Sequence, residues 1–293
     1  MAEITRSRTG ELLRLVFELL MAAENPVRAS EVLSKVRGMT KLTDYEKGEF
    51  DSGGIRVDTI IRFATVDCVK AGWMLKEKGR WSVTEEGIVA YNQYSNPEKF
   101  YREAVKLYHK WKKGQLGENE SEAEREVKEV TITIEKADEL AWKEIEDYLK
   151  SMDPYEFQEL VASLLKAMGY HVSWISPKGK DGGLDILAWS DPLGTKPPRI
   201  KVQVKRYESN INVDSVRSFM ALLGDDDVGI FVTTSDFTRD AKDEARTQEK
   251  RKITLIGLAK FVELWIEYYA NLDDLARRKF PLQPIYFLSP NQY

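Results

Sequence analysis

Residues 178–186, KGKDGGLDI, and residues 202–206, VQVKR, decide the fold of the C-terminal half of this chain. The glycines predict a tight turn in which backbone approaches a ligand closely, and Asp185 stands where this turn leads into a strand. The second stretch predicts another strand, in which Gln203 and Lys205 share one face because side chains alternate across a sheet. If the two strands are neighbours, Asp185 lies near both side chains.

These three side chains favour chemistry on a phosphodiester. Asp185, the Gln203 amide oxygen and a nearby backbone carbonyl are hard oxygen ligands of the kind that suit Mg²⁺. Lys205 would lie beside the metal or the phosphate, where it orients or deprotonates the nucleophile or stabilises developing charge. Each motif alone is also typical of an ordinary loop or an exposed edge strand. A polar and a charged side chain on a β-branched strand nevertheless need a partner.

The composition removes several other chemistries. The chain has one cysteine, Cys68, and two histidines, His109 and His171, which lie in different regions. A four-ligand structural zinc site and an intrachain disulfide are therefore excluded, and a reducing, cytoplasmic location is expected. Phosphate-binding loops of the GxxxxGK[ST] and GxGxxG types are absent, and no apolar run approaches the ~20 residues of a membrane span, so no membrane partner is expected.

The rest of residues 151–293 predicts an α/β domain. A helix over 154–168 precedes a group of strands, and later strands alternate with helices, which is typical of a mixed sheet flanked by helices. The predicted strands are 171–176, 185–190, 200–206, 228–235 and 253–258. The later predicted helices are 213–223, 238–251 and 259–269. The sequence shows no clear element after residue 270, and the acidic run 225–227 is predicted to be a loop.

Residues 1–115 predict three helices followed by a hairpin, the order of a winged helix-turn-helix domain. The third helix spans 56–70 and the wing spans 73–83. In such a domain the third helix can enter a major groove and the wing can touch the DNA backbone. The DNA contacts expected here are Arg56, Thr59, Arg62, Lys78 and Arg80. The alternative is that these are solvated charges on a protein-binding or dimerising domain.

Residues 116–150 predict an acidic linker followed by a connecting helix. Residues 117–150 contain 12 acidic and 5 basic residues, a net charge of −7, whereas the whole chain carries −4. The remainder therefore carries +3, so the negative total does not argue against a nucleic-acid partner.

Five motifs, in order, resemble the Mrr family of restriction endonucleases within the PD-(D/E)XK nuclease fold. They are FQELV at 157–161, MGY at 168–170, GKDGGLDI at 179–186, DPLG at 191–194 and QVKRY at 203–207. The resemblance covers residues 153–268, and the N-terminal region is similar to the domain that precedes this nuclease in the family. It implies a restriction-endonuclease-like fold and a Mg²⁺- or Mn²⁺-dependent DNA endonuclease. In the Mrr family this resemblance implies methylated DNA as the substrate.

The resemblance also implies roles for individual residues. Asp185 takes the acidic position, Gln203 the Glu position and Lys205 the lysine position, with Asp185 and Gln203 as metal ligands. At the helix start the family often has a glutamate that reaches toward the site, where this chain has Gln158. A helix turns by about 100° per residue, so Gln158 borders the apolar arc of its helix and Glu159 points away. Gln158 is therefore the expected fourth site residue.

The expected partners are double-stranded DNA and a second copy of the chain, because cutting both strands needs two active sites. Further phosphate contacts are expected from Lys178, Lys180 and Arg206. Two alternatives remain open. One is a repair or junction-resolving nuclease that uses the same site, and the other is a DNA-binding regulator whose nuclease fold has lost activity.

With glutamine at both 158 and 203, the site carries fewer negative charges than a carboxylate-rich relative. We therefore expect Mg²⁺ binding to be weak in the absence of DNA, which isothermal titration calorimetry of the DNA-free protein can measure. Submicromolar affinity would contradict this expectation.

Overall fold

The computed structural model describes residues 4–49, 54–113, 121–179, 183–248 and 251–285. They divide into two compact units, an N-terminal unit that runs to Lys143 and a C-terminal unit, Glu144–Ile285. None of the described helices is long and apolar enough to cross a membrane.

The N-terminal unit contains helices and a small antiparallel sheet. Its helices are α1 (Arg6–Met21), α2 (Ala29–Met39), α3 (Asp44–Lys47), α4 (Arg56–Lys70), α5 (Glu85–Gln93), α6 (Pro97–Lys113) and the first part of α7 (Ser121–Ser151). Its strands are β1 (Val27–Arg28), β2 (Met74–Glu77) and β3 (Arg80–Val83), in the order β1-β3-β2. The three predicted helices and the hairpin are present as α1, α2, α4 and β2–β3, and β1, α3, α5 and α6 lie outside that pattern.

An apolar stripe on α1 builds the core of this unit. Leu12, Leu13, Val16 and Phe17 recur at helical spacing and are fully buried. The Thr5 hydroxyl caps the helix by accepting a hydrogen bond from the backbone of Arg8. α4 and α6 contact α1 and complete the core, which also buries Cys68 as its place in the third predicted helix suggests.

The predicted acidic linker is largely a helix. Residues 121–151 form the single helix α7, and the division between the two units falls inside it. Residues 116–120 lie outside the described part of the chain. From residue 121 onward the structure thus has one continuous helix where the sequence predicts a linker followed by a helix. Charge alone does not separate a linker from a helix when apolar residues recur at helical spacing.

The C-terminal unit is a five-stranded mixed sheet with helices, which confirms the predicted α/β class. Its strands are β4 (His171–Ile175), β5 (Ile186–Trp189), β6 (Arg199–Lys205), β7 (Asp227–Thr233) and β8 (Lys252–Ile256). They lie in the order β4-β5-β6-β7-β8, antiparallel from β4 to β6 and parallel from β6 to β8. Its helices are the end of α7 and α8 (Pro154–Ala167), α9 (Val213–Met220), α10 (Arg239–Thr247), α11 (Leu258–Glu267) and α12 (Asp274–Lys279).

The alternation of side chains gives β6 one apolar and one polar row. Ile200 and Val202 are buried beside Ile186 and Ala188 of β5, which share their face through the antiparallel register. The other row of β6 is polar: it contains Arg199, Lys201, Gln203 and Lys205. Because Gln203 pairs with Phe231 in the parallel register, this polar row shares its face with a cluster of rings from α9 and β7.

The C-terminal tail is more ordered than the sequence predicts. A 3-10 helix at Tyr269–Asn271 precedes α12, which begins at an Asp273 cap. Phe280, at the end of α12, is buried against Trp265 and Tyr148. The prediction of no element after residue 270 is therefore wrong at 274–279, where α12 lies. The prolines of the tail begin only after this helix.

The acidic run 225–227 lies at a loop-to-strand junction, as expected, and its last residue is an internal ion-pair centre. The Asp227 carboxylate accepts hydrogen bonds from Arg199 at 2.7 Å and from the Gly224 backbone at 2.7 Å, and it pairs with Lys201 at 2.8 Å. Burial raises the pKa of Asp227, but the hydrogen bonds from Arg199 and Lys201 outweigh it and hold the pKa well below its ordinary value.

We predict that Asp227→Asn lowers the free energy of unfolding by about 2 kcal/mol at pH 7, because it leaves two cations without their buried partner. A carboxylate with a depressed folded-state pKa stabilises the protein above its unfolded pKa of about 3.9 and loses this contribution as the pH falls below that value. Urea unfolding should therefore show the difference shrinking below about pH 4. The exposed neighbour provides the control, since Asp225→Asn should change stability by less than about 0.5 kcal/mol.

Candidate metal and phosphate site

The pairing of β5 with β6 positions the centre of the site. The Asp185 backbone N–H donates to the Val202 carbonyl at 2.9 Å, and the ladder continues with Ile186 opposite Val202. This pair ends the ladder, so Asp185 immediately precedes β5 and Gln203 is the next residue of β6. Because side chains alternate along a strand, both residues project to the face opposite to Ile186 and Val202, and Lys205 joins them two residues further along β6. The three residues that the sequence assigns to one site therefore share a face at this end of the two strands.

The Asp185 carboxylate is buried and held in one orientation. Its Oδ2 accepts a hydrogen bond of 2.7 Å from the backbone N–H of Val204, and the residue is 8% exposed. Carboxylate oxygens are acceptors only, and this hydrogen bond helps to fix the orientation of the carboxylate. A fixed carboxylate of this kind is suited to ligate a divalent cation.

Gln203 is also buried, and its amide N–H group makes a hydrogen bond to the backbone. Its Nε2 donates to the Gly183 carbonyl at 3.0 Å. A glutamate could not donate this bond, so glutamine offers a neutral oxygen ligand while it also anchors the glycine turn. Gly183 has φ of +81°, and an added Cβ would lie 3.1 Å from the Leu222 side chain. The turn therefore requires glycine here.

Lys205 completes the row at the end of β6. Its side chain is half-buried, and its ammonium lies 5.5 Å from the centre of the Tyr207 ring. Its partner on β7 is Thr233, whose buried hydroxyl lies 3.0 Å from that of Ser235. The site therefore presents one carboxylate, one amide oxygen and one ammonium group along neighbouring strands.

Gln158 contacts the backbone next to the site. It comes from α8, which begins at an Asp153 cap, and its Nε2 donates to the carbonyls of Ser176 at 3.0 Å and Asp185 at 3.4 Å. Gln158 is buried, whereas Glu159 is exposed and pairs with Lys279, in agreement with the helical geometry. These contacts differ from the expected catalytic ones because they are made to backbone carbonyls. Gln158 is thus a positioning residue for Asp185.

Gly179 and Lys178, which follow β4, make contacts with Tyr155 that the sequence analysis missed. The Gly179 N–H donates to the Tyr155 hydroxyl at 3.0 Å, and the Lys178 ammonium lies 5.1 Å from the centre of the same ring. No local pattern points to this contact, because Tyr155 is 24 residues away on α8. Lys180, an expected phosphate contact, lies outside the described residues.

Two other motif residues have structural contacts. Asp191 closes a turn by accepting from the backbones of Thr195 at 3.1 Å and Lys196 at 2.9 Å, and these hydrogen bonds lower its pKa to about 2. Arg206, expected to bind phosphate, donates to the Lys150 carbonyl at 2.7 Å and is exposed.

The donor set fits a hard divalent cation of low affinity. Among the described residues, no group of three or more His, Cys, Asp and Glu side chains could hold a metal ion. The site has Asp185 as its carboxylate and Gln203 as a neutral oxygen donor. Mg²⁺ is commonly held by one or two carboxylates together with waters and substrate phosphates, so these donors suit it when phosphate is present.

The expected DNA contacts of the N-terminal unit have different surroundings. Arg56 lies 4.9 Å from the centre of the Tyr45 ring, Arg80 donates to the Pro26 carbonyl at 3.2 Å, and Thr59 is half-buried. Arg62, the expected DNA contact in the middle of α4, is buried and paired with two carboxylates of α7. The Lys78 ammonium lies 5.7 Å from the centre of the Trp142 ring.

Comparison with known proteins finds similarity in the region that contains the site. Residues 149–265 match the Mrr_cat family, described as a restriction endonuclease. The chain is 30% identical over 150 residues to the type IV methyl-directed restriction enzyme EcoKMrr of Escherichia coli strain K12, covering 49% of this chain and 48% of the relative. It therefore spans about half the length of the curated relative it matches.

A solved structure of the MspJI restriction endonuclease in complex with a 27-mer oligonucleotide is also similar, at 15% identity and a TM-score of 0.33. The similarity covers 69% of this chain and 52% of that one. A score at this level informs neither the fold nor the site.

We predict that Gln158→Leu lowers the free energy of unfolding by about 1–3 kcal/mol, because the buried Ser176 carbonyl loses its donor and the Asp185 carbonyl keeps only the Ser176 N–H. Gln158→Glu should destabilise the protein further at neutral pH, since a carboxylate would face two carbonyl oxygens, and should recover part of the loss at acidic pH as that carboxylate is protonated. Urea unfolding measures both effects. Glu159→Gln is the matched control, with a change below about 1 kcal/mol because its ion pair is exposed. Wild-type stability of Gln158→Glu at pH 7 would refute the described contact.

Proposed function

We propose, from the match of residues 149–265 to the Mrr_cat restriction endonuclease family, that this protein is a Mg²⁺-dependent DNA endonuclease. It hydrolyses phosphodiester bonds, and Mn²⁺ can replace Mg²⁺. The observation that carries the proposal is the row of Asp185, Gln203 and Lys205 on one face of two paired strands inside the matched region.

Asp185 and Gln203 hold the cation in this proposal. When bound, Mg²⁺ supplies Lewis-acid stabilisation of the charge that develops on the phosphate oxygens. The chain's own residues do the rest. Val204 keeps the Asp185 carboxylate in place through its backbone N–H, and Gln158 holds the Asp185 backbone. The Lys205 ammonium stabilises the negative charge at phosphorus and orients the attacking water.

The N-terminal unit recruits the DNA. Its helices α1, α2 and α4, followed by the β2–β3 hairpin, have the element order of a winged helix-turn-helix domain. In this proposal α4 is the recognition helix and the β2–β3 hairpin is the wing. Two copies of the chain act together, since each active site cuts one strand.

Modified DNA is the proposed substrate. The EcoKMrr relative is a methyl-directed enzyme, and its similarity to this chain supports methylated duplex DNA as the target. The substrate is thus carried over from a relative of which this chain covers 48%.

Plasmid cleavage tests the function. In the presence of Mg²⁺ the protein should cut methylated plasmid, and Lys205→Ala and Asp185→Ala should each reduce the rate by about 10²-fold or more. Lys252→Ala removes an exposed lysine from strand β8 and should leave the rate unchanged. EDTA should abolish cleavage.

Each other outcome has a definite meaning. Absence of Mg²⁺-dependent cleavage of any DNA refutes the nuclease and favours a DNA-binding regulator. Full activity of Lys205→Ala refutes the site assignment. Preferential cleavage of four-way junctions over methylated duplex indicates a junction-resolving nuclease instead.

A further inference from the structure

One face of α7 consists of residues that contact α4 and the β2–β3 hairpin. Lys128, Ile132, Glu135, Glu139 and Trp142 are spaced alternately four and three residues apart, so they form a single stripe along the helix. Ile132 is buried, and the Lys128 ammonium pairs with the buried Asp67 of α4 at 2.6 Å. The stripe therefore belongs to a packed interface within the N-terminal unit.

Glu135 is the centre of this interface. Its carboxylate accepts hydrogen bonds from Arg62 of α4 at 2.6 Å, from Lys76 of β2 at 2.7 Å and from the Trp81 indole at 3.1 Å. The side chains of Glu135 and Lys76 are each 11% exposed, and that of Arg62 is 7% exposed. Such burial distinguishes these ion pairs from solvated surface pairs, which contribute little.

Glu139, one turn further on, binds a second set of donors. It accepts from Arg62 at 2.6 Å and from the backbone N–H of Ser30, in the first turn of α2, at 2.7 Å. Burial raises the pKa of Glu139, but its hydrogen bonds with Arg62 and Ser30 outweigh this effect and lower the pKa overall. Glu139 is therefore ionised at neutral pH.

The turn of the hairpin is bound as well. The Gly79 N–H donates to the Asp138 carboxylate at 2.8 Å. Gly79 has φ of +68°, and a Cβ added to it would lie 2.7 Å from the Cα of Glu139. The hairpin tip thus packs directly on the α7 backbone, at a position where only glycine fits.

The donors in this interface are the kinds that bind DNA phosphates. Arginine forks, lysines and the backbone N–H groups of turns and helix N-termini supply most protein contacts to a DNA backbone. Here Arg62, Lys76, Ser30 and Gly79 direct such donors at three carboxylates of one helix. The α7 carboxylates thus occupy the positions at which phosphate oxygens would be bound.

We propose that α7 acts as an internal substitute for DNA and blocks the α4–hairpin face of the N-terminal unit. DNA binding by this face requires residues 135–142 of α7 to leave it. The inference rests on the proposed function, in which that face recruits DNA. It adds a regulatory state that the proposed function does not contain, because the α4–hairpin face stays blocked until DNA or another factor displaces α7.

DNA binding by a full chain that carries Lys205→Ala tests the block, since this background leaves the DNA uncut. The release variant adds Glu135→Gln and Glu139→Gln, and binding is measured by fluorescence anisotropy with a labelled, methylated duplex at two KCl concentrations. The release variant should bind at least about ten-fold more tightly. Its salt dependence should steepen by about two counterions, because Arg62 and Lys76 become available to phosphates.

The matched control removes the same net charge from exposed positions of the same helix, through Glu144→Gln and Asp147→Asn. Its affinity should stay within about two-fold of the parent, because general repulsion between the chain and DNA is screened at these salt concentrations. Equal gains in the release and control variants, or no gain in the release variant, overturn the block.

Hydrogen–deuterium exchange supplies a second readout that does not depend on the stability of the release variant. Binding of DNA to the parent chain should reduce the protection of amides in residues 131–143, and unchanged or increased protection overturns the block. Failure of the two proposals is distinguishable. If the parent binds DNA and the chain with Lys205 restored cleaves it, but α7 stays protected on binding, only this inference is refuted. Absence of DNA binding in the parent and the release variant refutes both proposals.

Discussion

The register between β5 and β6 is the constraint on which the site depends. It places Asp185 and Gln203 next to Ile186 and Val202, the last pair of the ladder, and it lets the Val204 backbone N–H fix the Asp185 carboxylate. A shift of one residue would move Gln203 and Lys205 to the apolar face, where Val202 and Ile200 now pack. The core of the sheet and the chemistry of the site therefore specify the same register. Gln158, bonded to the Ser176 and Asp185 carbonyls, supports it from α8.

Both units contain clusters of paired acidic and basic side chains, which the net charge of the chain does not reveal. In the C-terminal unit Asp227 neutralises Arg199 and Lys201, so that of the four polar side chains in the row on β6, Gln203 and Lys205 belong to the site. In the N-terminal unit Glu135 and Glu139 of α7 pair with Arg62, and Glu135 also pairs with Lys76. Part of the segment that makes the protein acidic overall is thus paired with buried cations of α4 and β2.

The sequence predicts those features that depend on local periodicity. Strand alternation places Gln203 and Lys205 on one face, and the rotation of a helix separates buried Gln158 from exposed Glu159. Most helices and strands in both units also follow from local pattern, with boundaries that differ by a few residues, whereas β1, α3 and α12 do not. These predictions succeed because burial on one side of an element imposes its period on the sequence.

The missed features depend on contacts between distant parts of the chain. Arg62 and Glu135 are 73 residues apart, and nothing near either residue indicates that they pair. The same holds for Tyr155 and Gly179, and for the donation by Gln158 to backbone carbonyls rather than to the site. The central claim is that Asp185 and Gln203 together form the metal site. Anomalous diffraction from crystals of the Lys205→Ala chain grown with duplex DNA and Mn²⁺ tests it most directly. We expect a Mn²⁺ peak in contact with the Asp185 carboxylate and the Gln203 amide oxygen, and a bound ion that contacts neither residue would contradict the account.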